Sequence, residues 1–185
     1  MEHAEFAGLR VLIVGGKGHA VHTLRTVLTN AGITNAVAIE DSRRALELLR
    51  GESFDAIYCD EHAAHVGHLS FPMAARRSPG LLNPMLPIFL IYGSARRSQV
   101  EKARDIGVTD VMTRPLSVRT LTRKLAVALA HPRPFIAAPE FFGPDRRVQE
   151  RKIYRGKDRR SRMPKKLRVG KSGATSAPGD DTVLV

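Results

Sequence analysis

"LRVLIVGG", residues 9–16, is a short, branched and almost wholly apolar run that ends in two glycines. A strand with one wet face alternates apolar with polar residues. A run this continuous and this short suits a strand covered on both faces, as in a parallel sheet flanked by helices. The chain up to residue 130 repeats the theme. Residues 19–31 set Val21, Leu24, Val27, Leu28 and Ala31 at helical spacing, with Gly32 placed as a left-handed C-terminal cap. "AVAIE" (36–40) reads as strand, "DSRRALELL" (41–49) as a helix opened by Asp41, and "FDAIYCD" (54–60) as strand, with a weakly defined helix after His68. "PIFLIYG" (87–93) is the next strand, followed by a helix over 95–106, "VTDVM" (108–112) as strand, and "SVRTLTRKLAVALA" (117–130) as a helix capped by Ser117. Five strand–helix pairs predict an α/β fold, a doubly wound five-stranded parallel sheet with right-handed crossovers.

Bulk properties set the class of partner. The chain of 185 residues is 43% apolar, enough for one core. Its net charge of +12 is unevenly placed, since residues 131–185 carry 14 Lys and Arg against 6 acidic residues. The partner served by that excess is anionic. Cys59 is the single cysteine, which excludes an internal disulfide and a cysteine-rich zinc site. No cleavable signal pattern opens the chain, and no apolar run approaches the roughly 20 residues that span a bilayer. The expectation is a soluble, cytoplasmic protein with no membrane insertion. His62, His65 and His68 recur every third residue without a fourth ligand and read as loop histidines, so no metal is expected. Gly15-Gly16-Lys17-Gly18 lacks the Ser or Thr that a phosphate loop needs after its Lys. No nucleophile–base–acid set is present, so the chain reads as a non-enzyme.

After Ala130 the composition breaks. Residues 1–130 form the predicted folded domain. Residues 131–144, with Pro132, Pro134, Pro139 and Pro144, read as an extended linker, residues 145–170 as an arginine-rich ligand-binding segment, and residues 171–185 as a disordered tail. A helix between Asp145 and Gly156 stacks Arg147, Arg151 and Arg155 at i, i+4 and i+8, where like charges oppose it. The prediction is therefore a segment that orders on an anion.

The basic segment says something twice. Phe141-Phe142-Gly143-Pro144-Asp145-Arg146-Arg147 is followed, thirteen residues on, by Tyr154-Arg155-Gly156-Lys157-Asp158-Arg159-Arg160. Both halves read aromatic, any residue, Gly, any residue, Asp, Arg, Arg. An Arg fork matches O6 and N7 of guanine, and a carboxylate accepts from N1–H and the exocyclic amine on the other edge. The aromatic rings and the arginine planes offer stacking faces, and each glycine allows a close backbone approach. Two guanine-reading halves call for a ligand with two guanines and internal symmetry. Cyclic di-GMP has both, and phosphates as well.

Over residues 9–130 the chain resembles the receiver domains of two-component response regulators. The resemblance rests on "LRVLIV", on "RALELL", on "FDAIYCD" ending in Asp60, and on "TRPLS". It implies a receiver, flavodoxin-like fold, in which an acidic pair after the first strand binds magnesium and an Asp ending the third strand accepts phosphate. It further implies a Ser or Thr after the fourth strand and a Lys before the Pro after the fifth. Here Asp60 stands at the acceptor position, the acidic pair is Gly15-Gly16, the hydroxyl position is Tyr92 or Gly93, and the lysine is Arg114. Phosphoryl transfer to a carboxylate needs cationic relief, and glycines supply no ligand to a hard cation. Asp60 therefore reads as a vestigial phosphoacceptor.

Residues 136–168 resemble the arginine-rich segment of the CheY-like cyclic-di-GMP effectors, the Cle proteins. That resemblance implies that the segment wraps an intercalated dimer of the nucleotide and that the liganded protein docks on the flagellar motor switch protein, with recruitment to the motor or pole and altered swimming and surface attachment. Carried over by position, Asp145, Arg146 and Arg147 serve one half and Asp158, Arg159 and Arg160 the other, with Arg151, Tyr154, Arg155 and Gly156 between or beside them. Two alternatives remain open. One is a basic tail that binds RNA, which the recurring Asp residues argue against. The other is a phosphorelay receiver that uses Asp60.

Overall fold

The computed structural model of the chain describes residues 6–63, 65–146 and 165–168. Five strands, β1 (Arg10–Val14), β2 (Asn35–Ile39), β3 (Ala56–Asp60), β4 (Ile88–Tyr92) and β5 (Asp110–Thr113), pair in parallel in the order β2-β1-β3-β4-β5. Helices α1 (His19–Asn30), α2 (Ser42–Gly51), α3 (Phe71–Arg77), α4 (Arg97–Asp105) and α5 (Val118–Ala130) fill the crossovers. The predicted doubly wound sheet is the observed one.

Side-chain alternation along the strands divides the core in two. Leu12, Val14, Ile57, Cys59, Ile88 and Leu90 pack with Leu46 and Leu49 of α2, Phe71 of α3 and Ala103 of α4. Val11, Ile13, Tyr58, Phe89 and Ile91 pack on the other face with Leu24 and Leu28 of α1 and Leu121 and Leu125 of α5. The continuous apolar run at 11–14 is thus a strand buried on both faces. Two caps act as read from sequence: Asp41 accepts from the Arg43 amide at 2.8 Å, and Ser117 Oγ accepts from the Thr120 amide at 3.2 Å. β5 starts two residues later than expected because Thr109 is spent on the entry to β4. Its hydroxyl accepts from the Ile88 amide at 3.0 Å, and its own amide donates to the Ile88 carbonyl at 2.8 Å.

The expected linker over 131–144 is corrected by the structure. Residues 135–144 form a hairpin, β6 (Phe135–Ala138) with β7 (Phe141–Pro144), and β8 (Lys165–Leu167) pairs antiparallel with the free edge of β6. The four prolines are compatible with this. Pro132 and Pro134 precede β6, Pro139 lies in the turn, and Pro144 ends an edge strand, where a missing donor costs least. Tertiary contacts hold the hairpin down. Phe135 is buried, packs on Phe142 with ring centroids 5.4 Å apart, and lies 5.0 Å beneath the Arg76 guanidinium. Arg76 is itself buried and donates to the carbonyls of Gly107 (3.0 Å) and Pro84 (2.7 Å). Burial pushes its guanidinium down to about 9. Gly143 meets Gly107 so closely that a Cβ on Gly143 would stand 2.7 Å from the Gly107 Cα. Arg133 completes the seat by donating to the carbonyl of Thr109. The 145–170 segment is therefore held at both ends, since β7 leads into it and β8, inside its predicted bounds, returns to β6.

Candidate functional site

Two places bear on function: the carboxyl ends of the parallel strands, and the rim where the hairpin delivers the repeat.

At the first, the central strand β3 carries Asp60 to the carboxyl end of the sheet at 8% exposure. Its Oδ1 accepts from the His62 amide at 2.9 Å, and its Oδ2 is paired with Arg114 Nη2. Arg114 follows β5, and its Nη1 lies 3.8 Å from Glu61 Oε1, so one guanidinium serves two carboxylates. Glu61 Oε1 also accepts from the Gly93 amide. Tyr92 occupies the end of β4, its phenol pushed up by burial and by Glu61.

Gly15 and Gly16 do more than lack ligand atoms. Both have positive φ, 71° and 76°, a conformation that costs an L-residue about 1–2 kcal/mol. A Cβ on Gly15 would stand 2.6 Å from the Ala63 Cα, and one on Gly16 would stand 3.4 Å from Asp60 Oδ2. The β3–α3 loop has moved into the space that a side chain at 15 would use. The cavity left among Gly15, Gly16, Asp60 and Arg114 measures ≈ 10 Å³, about one water. A magnesium ion of the kind implied by the receiver resemblance needs about six oxygen ligands, so these residues do not fit it. Among the described residues no group of three or more His, Cys, Asp or Glu is placed to hold a metal ion.

At the second place, β7 ends in Pro144 and delivers Asp145 and Arg146 to the rim. The Asp145 amide donates to the Pro134 carbonyl at 2.7 Å, and Arg133 Nη1 reaches the Asp145 carbonyl at 3.5 Å, which fixes the backbone of the motif. The Arg146 guanidinium lies 3.8 Å over the Phe141 ring and donates to Asp105 Oδ1 at 2.6 Å. Both partners of that ion pair are open to solvent, at 42% and 61%. Of the residues expected to bind ligand, Asp145 and Arg146 are thus brought together with Phe141. Arg147, Arg151, Tyr154, Arg155, Gly156, Asp158, Arg159 and Arg160 lie outside the described residues, as do residues 171–185 and the disorder expected of them.

Sequence reading missed three partners. Ala63 filling the glycine site, Asp105 under Arg146, and Arg76 over Phe135 each join residues more than 35 positions apart. Only the repeat itself pointed to Arg146.

No family model matches the chain. Over 117 residues it is 24% identical to the chemotaxis protein CheY of Pseudomonas aeruginosa, a match that covers 63% of this chain and 93% of that one. Among solved structures, a putative response regulator from Chloroflexus aurantiacus superposes with a TM-score of 0.59 at 22% identity, covering 66% of this chain and 98% of that one. The receiver domain of a sensor histidine kinase from Pseudomonas aeruginosa, described with a magnesium ion coordinated in its active-site cleft, superposes at 0.55 with 20% identity, over 65% of this chain and 96% of the other. Strand order, helix placement and these likenesses together give the five-stranded part of the chain the fold of a receiver domain, similar to that of CheY.

Proposed function

We propose that this chain is a CheY-like effector that takes cyclic di-GMP on its arginine-rich segment and, once loaded, engages the flagellar motor switch. The observation that carries the reading is the rim geometry of the first half-repeat. Arg146 is stacked on Phe141, beside Asp145, and among the described residues its ion-pair partner is the exposed carboxylate of Asp105. An exposed ion pair is worth about 0.2–1 kcal/mol, so a ligand can displace it at little cost. The same guanidinium then meets a guanine edge or a phosphate through charge-assisted hydrogen bonds while its ring partner provides a stacking face. The second half-repeat, Asp158, Arg159 and Arg160, supplies the matching set for the second guanine.

Pairing of β7 and β8 with the two edges of β6 supports the reading further. Ordering a free segment costs about 1–2 kcal/mol per residue of backbone, and pinning both ends reduces the states to be lost. The Asp60 site supports it from the other side, because a cavity of ≈ 10 Å³ with Arg114 on the acceptor carboxylate leaves little space for phosphoryl transfer. A motor partner follows from the Cle resemblance and accords with the likeness to a chemotaxis protein.

Titration calorimetry of the full chain with cyclic di-GMP, cyclic di-AMP and a short RNA tests the ligand. Uptake of the guanine nucleotide alone is expected, since adenine lacks O6 and N1–H; equal uptake of RNA would transfer the reading to nucleic acid. Arg146→Ala and Arg160→Ala should each weaken binding at least tenfold, and Asp60→Asn should leave it unchanged. Co-sedimentation with the motor switch protein, with and without nucleotide, tests the output. The phosphorelay receiver is kept as a second reading because Asp60 does end β3 and the matched relative is CheY. Stoichiometric labelling of Asp60 by acetyl phosphate with magnesium would establish it instead.

A further inference from the structure

A groove of ≈ 820 Å³ opens at the amino ends of β3, β4 and β5, on the opposite side of the sheet from Asp60. Its apolar wall includes Met85, Pro87, Val108, Val127, Leu129 and Phe135. Three large apolar side chains are exposed among the described residues, and two of them, Val127 at 53% and Leu129 at 36%, stand in this groove. Such clustering of exposed apolar surface marks a docking site rather than scatter. The charged lining is cationic on balance. Lys124 and Asp110 neutralise each other at 2.6 Å, and Asp55 accepts from the Arg10 amide at 2.7 Å. Arg104 has no carboxylate within 4.0 Å among the described residues, while Arg133 donates to the carbonyls of Thr109 and Asp145 and has the Asp110 and Asp145 carboxylates near it. Burial pushes the Arg133 guanidinium down, Asp110 and Asp145 partly offset that, and the Arg104 charge beside it adds to the shift, so the Arg104 side of the groove is where a further anion is favoured.

The chain itself carries a matching segment. Residues 179–185 read Gly-Asp-Asp-Thr-Val-Leu-Val, two carboxylates followed by three branched apolar residues. β8 brings the chain to the groove rim, because Leu167 pairs with Phe135, and Phe135 lines the groove. Seventeen residues lie between Arg168 and the end of Val185, a reach of about 55 Å extended, against a radius of gyration of about 14 Å for a domain of this size. We propose that residues 179–185 dock in this groove of their own receiver domain. Val183, Leu184 and Val185 lie on the apolar wall, and Asp180 and Asp181 face Arg104 and Arg133. A linked segment needs only weak intrinsic affinity, since the tether supplies a millimolar effective concentration.

The test is photo-crosslinking in the full chain with p-benzoylphenylalanine in place of Leu184, with no nucleotide added and the cross-links mapped by mass spectrometry. The expected result is a cross-link within one chain to residues 83–87 or 124–135, independent of protein concentration. Val127→Asp, at a position already half exposed, should lower the yield at least fivefold without changing the melting curve. Replacing both Asp180 and Asp181 by Lys should lower it at least threefold, and Arg104→Glu in that background should restore it. Cross-links elsewhere, cross-links only between chains, or a yield indifferent to Val127→Asp would overturn the proposal. The first Lys result without the Arg104→Glu rescue would overturn the charge pairing.

Discussion

Among the described residues, two arginine–aspartate pairs stand at different levels of solvent exposure. Arg114 on Asp60 is a pair with the carboxylate 9% and the guanidinium 33% exposed, locked further by Glu61 and by the His62 amide. Arg146 on Asp105 is open on both sides and rests on an aromatic ring. Breaking a buried pair from one side leaves an uncompensated charge and costs about 3–5 kcal/mol, while an exposed pair yields about 0.2–1 kcal/mol. The same two residue types therefore make a fixed strut at one end of the sheet and an exchangeable contact at the hairpin rim. An anion would displace the carboxylate at the second place at less cost than at the first.

The largest effect is expected where the rim is anchored. Phe135→Ala removes a buried ring from beneath Arg76 and should destabilise the hairpin by about 3–4 kcal/mol. Hydrogen exchange of the amides in 135–144 and 165–167 should then approach that of free peptide while the five-stranded sheet stays protected. Unchanged exchange would mean that the hairpin does not depend on that seat. Restoring an acid at the other end comes next. Gly15→Asp combines a positive φ with a 2.6 Å approach to Ala63 and should cost about 2–4 kcal/mol by denaturant titration. If the variant is instead as stable as the parent and binds magnesium, the β3–α3 loop yields readily and the site is only latent.

Arg114→Ala should cost about 2–3 kcal/mol, below the fully buried figure because the guanidinium is one-third exposed. The double variant with Asp60→Asn should recover part of that loss, since no charge is then left unpaired. The smallest effect belongs to Asp105→Asn, which should change stability by less than about 1 kcal/mol. By freeing Arg146 it should tighten nucleotide binding about twofold. Weaker binding would show that Asp105 positions the arginine for the ligand rather than competing with it.

Much of the five-stranded domain was legible because its determinants are local. The continuous apolar runs at 11–14 and 56–59, the helical spacing at 21–31, and the caps at Asp41 and Ser117 are each set by residues within a few positions of one another. The hairpin was hidden by the same logic. Its prolines argue locally for an extended linker, while the contacts that make it a sheet run from Phe135 to Arg76 and from Gly143 to Gly107. At the Asp60 site the sequence showed the missing acids and the arginine in place of lysine, but not that Ala63 closes the gap.

What composition and spacing alone determined, then, are the order of strands and helices, the basic excess after residue 130 and the duplicated Asp-Arg-Arg motif. Each is a property of neighbours along the chain. Tertiary structure decided that Arg114 lies on Asp60, 54 positions away, that the cleft there is nearly filled, and that the first half-repeat stands on Phe141 and Asp105 at a pinned rim. Those outcomes depend on which distant groups are driven together when the apolar faces of the sheet are buried, and on how the charges left between them then find partners.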